Sequence, residues 1–273
     1  MSVLPYPDPI DGLRVERDGA VLRLTLDRPE RRNALTDEIV VGLADVLDAA
    51  GSDDDVRVIH LSGEGDHFCS GFDLSGRERP ADDAKPRTGS TQRHMRWRVN
   101  RLVPTMLEVQ TPIVCEVRGW AIGLGMNLAL ASDFAVAADE ATFMAPFTTS
   151  GFTPDSGASW LLPRLVGVAR AKDVLMLGDR VSGADAAAWG MIHRAVPAGE
   201  VAAVSEELVQ RLAASATVAV GLAKMLVNRA GTVDLARHLE DEGLAIELSS
   251  RSADFAEASR ARREKRHTDF TGR

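Results

Sequence analysis

The chain has 273 residues, 45% hydrophobic and 26% charged, a balance that suits a globular fold large enough for a sizeable core. Its net charge of -8 argues against a general nucleic-acid binder, because phosphate recognition needs a basic face. Two cysteines, Cys69 and Cys115, make neither a disulfide framework nor a zinc site, no other metal-ligand spacing is present, and no apolar run reaches membrane-spanning length.

Residues 1–11 are proline-rich and polar without a signal-peptide pattern, so a cytoplasmic protein is expected. Residues 13–17 and 22–26 alternate apolar and polar side chains around Asp18-Gly19, which predicts an antiparallel hairpin. After a charged loop at residues 28–33, Thr36 reads as an N-cap. Ile39, Leu43, Val46, Leu47 and Ala50 then form one helical stripe ended by Gly51. Residues 56–61 read as a strand, 63–74 as a glycine-rich turn, 75–91 as a mobile polar loop, and 93–109 as one helix despite Pro104.

Residues 113–117 are apolar and β-branched, the pattern of a buried strand. Gly119, Gly123 and Gly125 follow, and residues 126–131 are helix formers. A strand feeding a glycine turn that opens a helix leaves backbone N–H groups unpaired at the positive end of the helix dipole. Such a place holds an anion, or an oxygen that becomes one during a reaction; a plain packed turn is the competing reading.

Further strands are expected at residues 134–138, 142–144 and 191–196, a loop at 147–157, and helices at 171–177 and 184–189. Beyond Pro197 only helices are expected, at 201–213, 218–229, 233–248 and 253–263. The chain therefore divides into an α/β core, residues 1–197, and an α-helical C-terminal region, residues 198–273. The basic run 260–266 is either a solvated helix face or a phosphate partner.

Several segments in order resemble the crotonase superfamily, the enoyl-CoA hydratase/isomerase family. They are Arg28-Pro29 with Asn33-Ala34-Leu35, residues 68–74, residues 118–125, Ala131-Ser132-Asp133, residues 154–157, and Leu162-Pro163-Arg164. The resemblance implies a crotonase-type spiral of ββα units, with C-terminal helices that assemble homotrimers or hexamers. It implies an acyl-CoA substrate, with coenzyme A carried by the substrate and no other cofactor. It also implies an oxyanion hole made by the main-chain N–H groups of Phe72 and Leu124. Arg28, Ser70, Asp73 and Phe270 are the positions implied to border coenzyme A, Phe270 from a neighbouring subunit, and the C-terminal helices the assembly region.

A hydratase of this family uses two glutamates; the matching positions here are Asn127 and Phe147, neither of which transfers a proton as a carboxylate does. Asp155 remains, in a Gly-Phe-Thr-Pro-Asp-Ser-Gly context that resembles family isomerases, with Phe147, Phe152, Pro154 and Trp160 to make its surroundings apolar. A 3-enoyl to 2-enoyl-CoA isomerase with Asp155 as base is expected. An unorthodox hydratase, a dehalogenase-like enzyme acting on an aromatic thioester, and a non-catalytic acyl-CoA binder are the alternatives, with an RNA-binding role disfavoured by charge. Asp155 as a turn or helix-cap residue is the plain reading. Asp73 and Asp133 read as structural, His67 and His94 as surface or packing residues with a place near the pocket as the alternative, and Trp97, Trp120 and Phe143 as core or pocket walls.

Overall fold

The computed structural model describes residues 6, 7, 9–75 and 86–273. Most of the expected mobile loop, residues 76–85, and half of the proline-rich N-terminal stretch, residues 1–5 and 8, lie outside the described residues. The hairpin forms as its alternation requires. Strand β1 (Leu13–Asp18) pairs antiparallel with β2 (Val21–Leu26), whose Leu22, Leu24 and Leu26 are buried. Helix α1 (Asp37–Gly51) starts where the Thr36 hydroxyl accepts the Ile39 N–H, and it buries the predicted stripe. Strand β3 (Val58–Gly63) starts two residues later than expected because Val56 closes a turn onto the Asp53 carbonyl.

The single helix expected at 93–109 is two. Helix α2 (Ser90–Trp97) and helix α3 (Val99–Glu108) meet at Arg98, whose φ of -127° and ψ of -84° break the helical ladder. Pro104 is accommodated inside α3. Strand β4 (Ile113–Val117) is wholly buried, and the glycine turn after it contains a further short strand, β5 (Trp120–Ile122). Helix α4 (Leu124–Ala131) is buried on every side. Strands β6 (Phe134–Ala138) and β7 (Thr142–Met144) follow as expected.

Helix α5 (Ala158–Lys172) was not anticipated over most of its length; only its last two residues fall in the helix expected at 171–177. Pro163 and Gly167, the latter at φ 76° and ψ 167°, interrupt its pattern, and a π-helical turn over Asp173–Leu177 completes it. Then come β8 (Val181–Ser182), α6 (Gly183–Ala188) capped by the Ser182 hydroxyl, and β9 (Arg194–Val196), shorter than the strand expected from residue 191. Helices α7 (Val201–Ala213), α8 (Thr217–Arg229), α9 (Leu235–Ser249) and α10 (Ala253–Glu264) close the chain.

The strands form a six-stranded sheet in the order β1-β2-β3-β4-β6-β9 and a three-stranded sheet in the order β5-β7-β8. Between β4 and β7 the chain winds as a spiral: β4 enters the large sheet and β5 the small one, α4 returns, then β6 and β7 repeat the pattern. Helix α7 packs across β3, β4 and β6 and buries Val201, Ser205 and Val209, so this first C-terminal helix is joined to the core sheet. Helix α8 is tied to the end of α4 by an ion pair, Lys224 Nζ to Asp133 Oδ2 at 2.8 Å, and the same carboxylate accepts the Ile113 N–H. Asp133 is structural, as its position at a helix end suggested.

Candidate active site

Two glycine-rich turns are stitched together by main-chain hydrogen bonds. Phe68 N donates to the Arg118 carbonyl at 2.7 Å, Cys69 N to the Trp120 carbonyl at 2.8 Å, and Ile122 N to the Cys69 carbonyl at 2.9 Å. The approach at their ends is close: a Cβ on Gly71 would stand 2.8 Å from the Ile122 carbonyl oxygen and 3.7 Å from the Leu124 nitrogen. Leu35 bridges Phe72 in parallel, through the Gly71 carbonyl and the Asp73 N–H. In an extended chain that pattern turns the Phe72 amide away from Leu35. Gly123, at φ 54° and ψ -118°, turns the chain into α4, and Leu124 is that helix's first residue. Its N–H therefore lacks a carbonyl within the helix and points along the positive end of the dipole. Cys69, fully buried beneath the turn, has its thiol pushed up to about 12 by that burial.

Both turns open onto one cavity of about 240 Å³. Ser70, Phe72, Gly123 and Leu124 line it from one side, Phe147, Phe152 and Asp155 from the loop before α5, and Thr91, His94 and Met95 from α2. Among the described residues, Asp155 is the only carboxylate lining it. The Asp155 carboxyl does not cap α5, whose N-cap, Gly157, has no side-chain cap. It accepts a hydrogen bond from the Ser156 hydroxyl at 2.9 Å. Burial raises its pKa above the ordinary aspartate value, and the Ser156 hydroxyl opposes that rise. A second, larger chamber of about 1040 Å³ shares Met95, Val99, Asp155 and Ser156 with the first and is also walled by Val103, Leu107, Trp160 and Met225. Pro154 lines neither chamber.

Asn127, at the position that matches a hydratase glutamate, has a different task. It is fully buried on α4, and its side-chain amide donates to the main-chain carbonyls of Asp155 at 3.3 Å and Ser156 at 3.1 Å. It thus clamps the Asp155 turn to the helix that carries Leu124. Among the described residues its buried Oδ1 has no hydrogen-bond partner.

The other candidate residues separate into three places. Ser70 lines the cavity. Arg28 and Asp73 pair with each other at 3.0 Å, Arg28 also donating to the Ala34 carbonyl, while Asp73 is further held by Ser75. Asp73 also lines a neighbouring cleft of about 490 Å³ with Arg31, Arg32, Asp66 and His67. Phe270 lies in the C-terminal tail, where its carbonyl accepts from Arg57 at 3.0 Å, and it lines none of these three cavities of the single chain. In the basic run, Arg260 and Arg266 are both held by Glu257, which removes them as ready phosphate partners. Phe143 is core, but Trp120 is not a pocket wall. It is 38% exposed beside the cleft, with Arg32 over its ring at 4.7 Å and His67 against it at 5.1 Å. Trp97, 70% exposed, is not core either.

The family model for enoyl-CoA hydratase/isomerase matches residues 16–273. The chain belongs to the enoyl-CoA hydratase/isomerase family. Among its relatives is the 1,2-epoxyphenylacetyl-CoA isomerase of Escherichia coli (strain K12), 38% identical over 253 residues that cover 93% of this chain and 95% of that protein. The mitochondrial enoyl-CoA hydratase domain-containing protein 2 of Bos taurus is 34% identical over 260 residues, 92% of this chain and 84% of that one. The crystal structure of an enoyl-CoA hydratase from Polaromonas sp. JS666 superposes with a TM-score of 0.85 at 30% identity, covering 94% of this chain and 99% of the other. The α/β spiral with its helical C-terminal region is thus the fold that the family resemblance implied.

Proposed function

We propose that the protein is an acyl-CoA isomerase that converts a 3-enoyl-CoA to a 2-enoyl-CoA, with Asp155 as its single base. The Asp155 carboxylate takes a proton from C2, and the C–H electron pair moves into the thioester to give an enolate. The enolate oxygen meets the main-chain N–H groups of Phe72 and Leu124. Each such donor is worth about 3–4 kcal/mol of barrier. The proton returns from Asp155 to C4 as the C3=C4 pair shifts, leaving C2=C3, so no proton, electron or further cofactor is consumed.

The observation that carries this assignment is a cavity lined by both turn residues, Phe72 and Leu124, in which Asp155 is the only lining carboxylate among the described residues. Asn127 and Phe147 replace the pair of acids that water addition would use. Aromatic walls at Phe147 and Phe152, together with a relative named 1,2-epoxyphenylacetyl-CoA isomerase, favour a second reading: isomerisation of a ring-bearing acyl thioester. Coenzyme A lies across Ser70 and the cleft of Arg31 and Arg32, two guanidinium groups suited to its phosphates. Arg28 and Asp73 act there by holding the loop, and Phe270 serves the coenzyme A of a neighbouring copy in a trimer or hexamer. The assay is conversion of a 3-enoyl-CoA followed by product identification. Asp155→Asn abolishes turnover while coenzyme A thioester binding persists; unchanged turnover removes Asp155 as the base.

A further inference from the structure

The proton transfer uses only the smaller cavity. At about 240 Å³ it falls below the ~300–1,000 Å³ that encloses a ligand of ordinary drug size. The chamber of about 1040 Å³ adjoins it at Met95, Val99, Asp155 and Ser156, which line both. One wall of the chamber is an apolar row along α3. Val99, Val103 and Leu107 are spaced four apart on one helical face and run for about 12 Å from the shared Val99. Trp160 of α5 and Met225 of α8 add to the apolar lining. Asn100, Glu108, Gln110, Arg229 and Thr232, all exposed, give the chamber a polar, solvent-facing rim.

Helix α8 is fixed where it lines this space. Lys224, the residue before Met225, pairs with Asp133 at 2.8 Å and donates to the Thr111 carbonyl at 3.3 Å. Asn228, three residues after Met225, donates through its side-chain amide to the Leu107 carbonyl at 2.9 Å. Two tethers to the core thus flank Met225 and set the distance between α8 and α3. We propose that the larger chamber takes the distal part of the acyl group, and that Met225 is a specificity-determining residue for its length. This rests on the smaller cavity being the acyl-CoA site, and it adds the substrate class: thioesters of medium or long apolar acyl chains. C2 to C4 lie beside Asp155, and the remainder of the chain passes Val99 and lies along Val103 and Leu107 with Met225 against it. The C-terminal helical region thereby takes part in choosing the substrate. Full burial of a methylene group tightens binding about fourfold, and a chain left open to solvent on one side gains about twofold for each carbon.

The test is calorimetric binding of butyryl-CoA, hexanoyl-CoA and decanoyl-CoA to the full chain. Affinity rises at each step, and decanoyl-CoA binds about 10–60-fold tighter than butyryl-CoA. Met225→Trp, which sets a larger side chain in the chamber, brings that ratio below about threefold. Met225→Leu, close in volume, keeps it. Val227→Ala, on the same helix but lining a neighbouring cavity with Leu130 and Leu212, leaves the ratio as it is. Melting curves establish that each variant is folded. No gain from butyryl-CoA to decanoyl-CoA, a gain that survives Met225→Trp, or a ratio lost equally in Val227→Ala would overturn the proposal. Failure of all three thioesters to bind removes the acyl-CoA reading beneath it as well. None of these variants touches Asp155, whose role is judged apart, by turnover, so the two readings can fail independently.

Discussion

Ser156 at φ 50° and Gly157 at φ 90° are two successive left-handed residues between Asp155 and α5. A non-glycine residue in that region is uncommon and marks a turn held in place by its surroundings. Here the surroundings are the Asn127 amide and the Ala158 N–H, both bonded to the Asp155 carbonyl. A carboxylate acts as a base only when ionised, so with Asp155 in the proposed role the rate climbs as pH rises through its raised pKa. Ser156 lowers that pKa by hydrogen bonding to the ionised form. Ser156→Ala therefore moves the acid limb of the kcat/KM profile to higher pH; a profile that stays put, or moves the other way, would refute the assignment. Asn127→Asp replaces a donor with an oxygen facing two carbonyl oxygens. It lowers folding stability by about 1–3 kcal/mol in urea titrations. From Pro154 to Gly157 the local sequence shows a turn; Asp155 becomes a candidate base only through the resemblance along the whole chain, and the structure sets it in the cavity wall. The clamp was not legible, because the carbonyls that Asn127 holds lie 28 and 29 residues away and nothing local announces them.

At the scale of elements, the site is two loops kept at a fixed separation. Gly71→Ala, at φ 92°, would press a methyl group against the Ile122 carbonyl and drive the two turns apart. Its kcat falls by about 10²–10³, the cost of a displaced oxyanion donor. Gly123→Ala meets no atom within 4 Å and suffers only from its backbone angle, so its deficit appears in thermal stability, ~1–3 kcal/mol, more than in contact geometry. Steady-state kinetics and melting curves on the pair separate the two effects. The strands were legible where one face is buried: β1, β2 and β4 announce themselves by alternation or an apolar run. Two boundaries were not. Arg98 breaks a helix whose apolar period runs on across the break, and α5 hides behind Pro163 and Gly167 with half its surface in solvent.

At the scale of the whole molecule, the outer helices leave apolar side chains uncovered. Leu235, Leu239 and Ile246 of α9 are 72, 55 and 64% exposed, and Phe255 of α10 is 52% exposed, an apolar surface that monomeric proteins rarely leave open. Light scattering is expected to give a multiple of the 29.3 kDa chain mass, and Leu239→Arg with Ile246→Arg to shift it toward the single-chain mass. A wild-type protein that stays a monomer would contradict that assembly. The tail after α10 is already committed: Asp254 receives the N–H groups of Thr271 and Gly272, Glu257 holds Arg266, and Arg57 holds Phe270 and Thr217. One practical consequence follows from where the sulfur atoms sit. Cys69 and Cys115 are both sealed inside, their thiols driven upward in pKa by burial, so neither offers a thiolate to an alkylating reagent at neutral pH. The folded chain is a silent background for maleimide chemistry. A single cysteine engineered onto the exposed side of α2 will carry a fluorophore alone and report on that helix as thioester enters beside it.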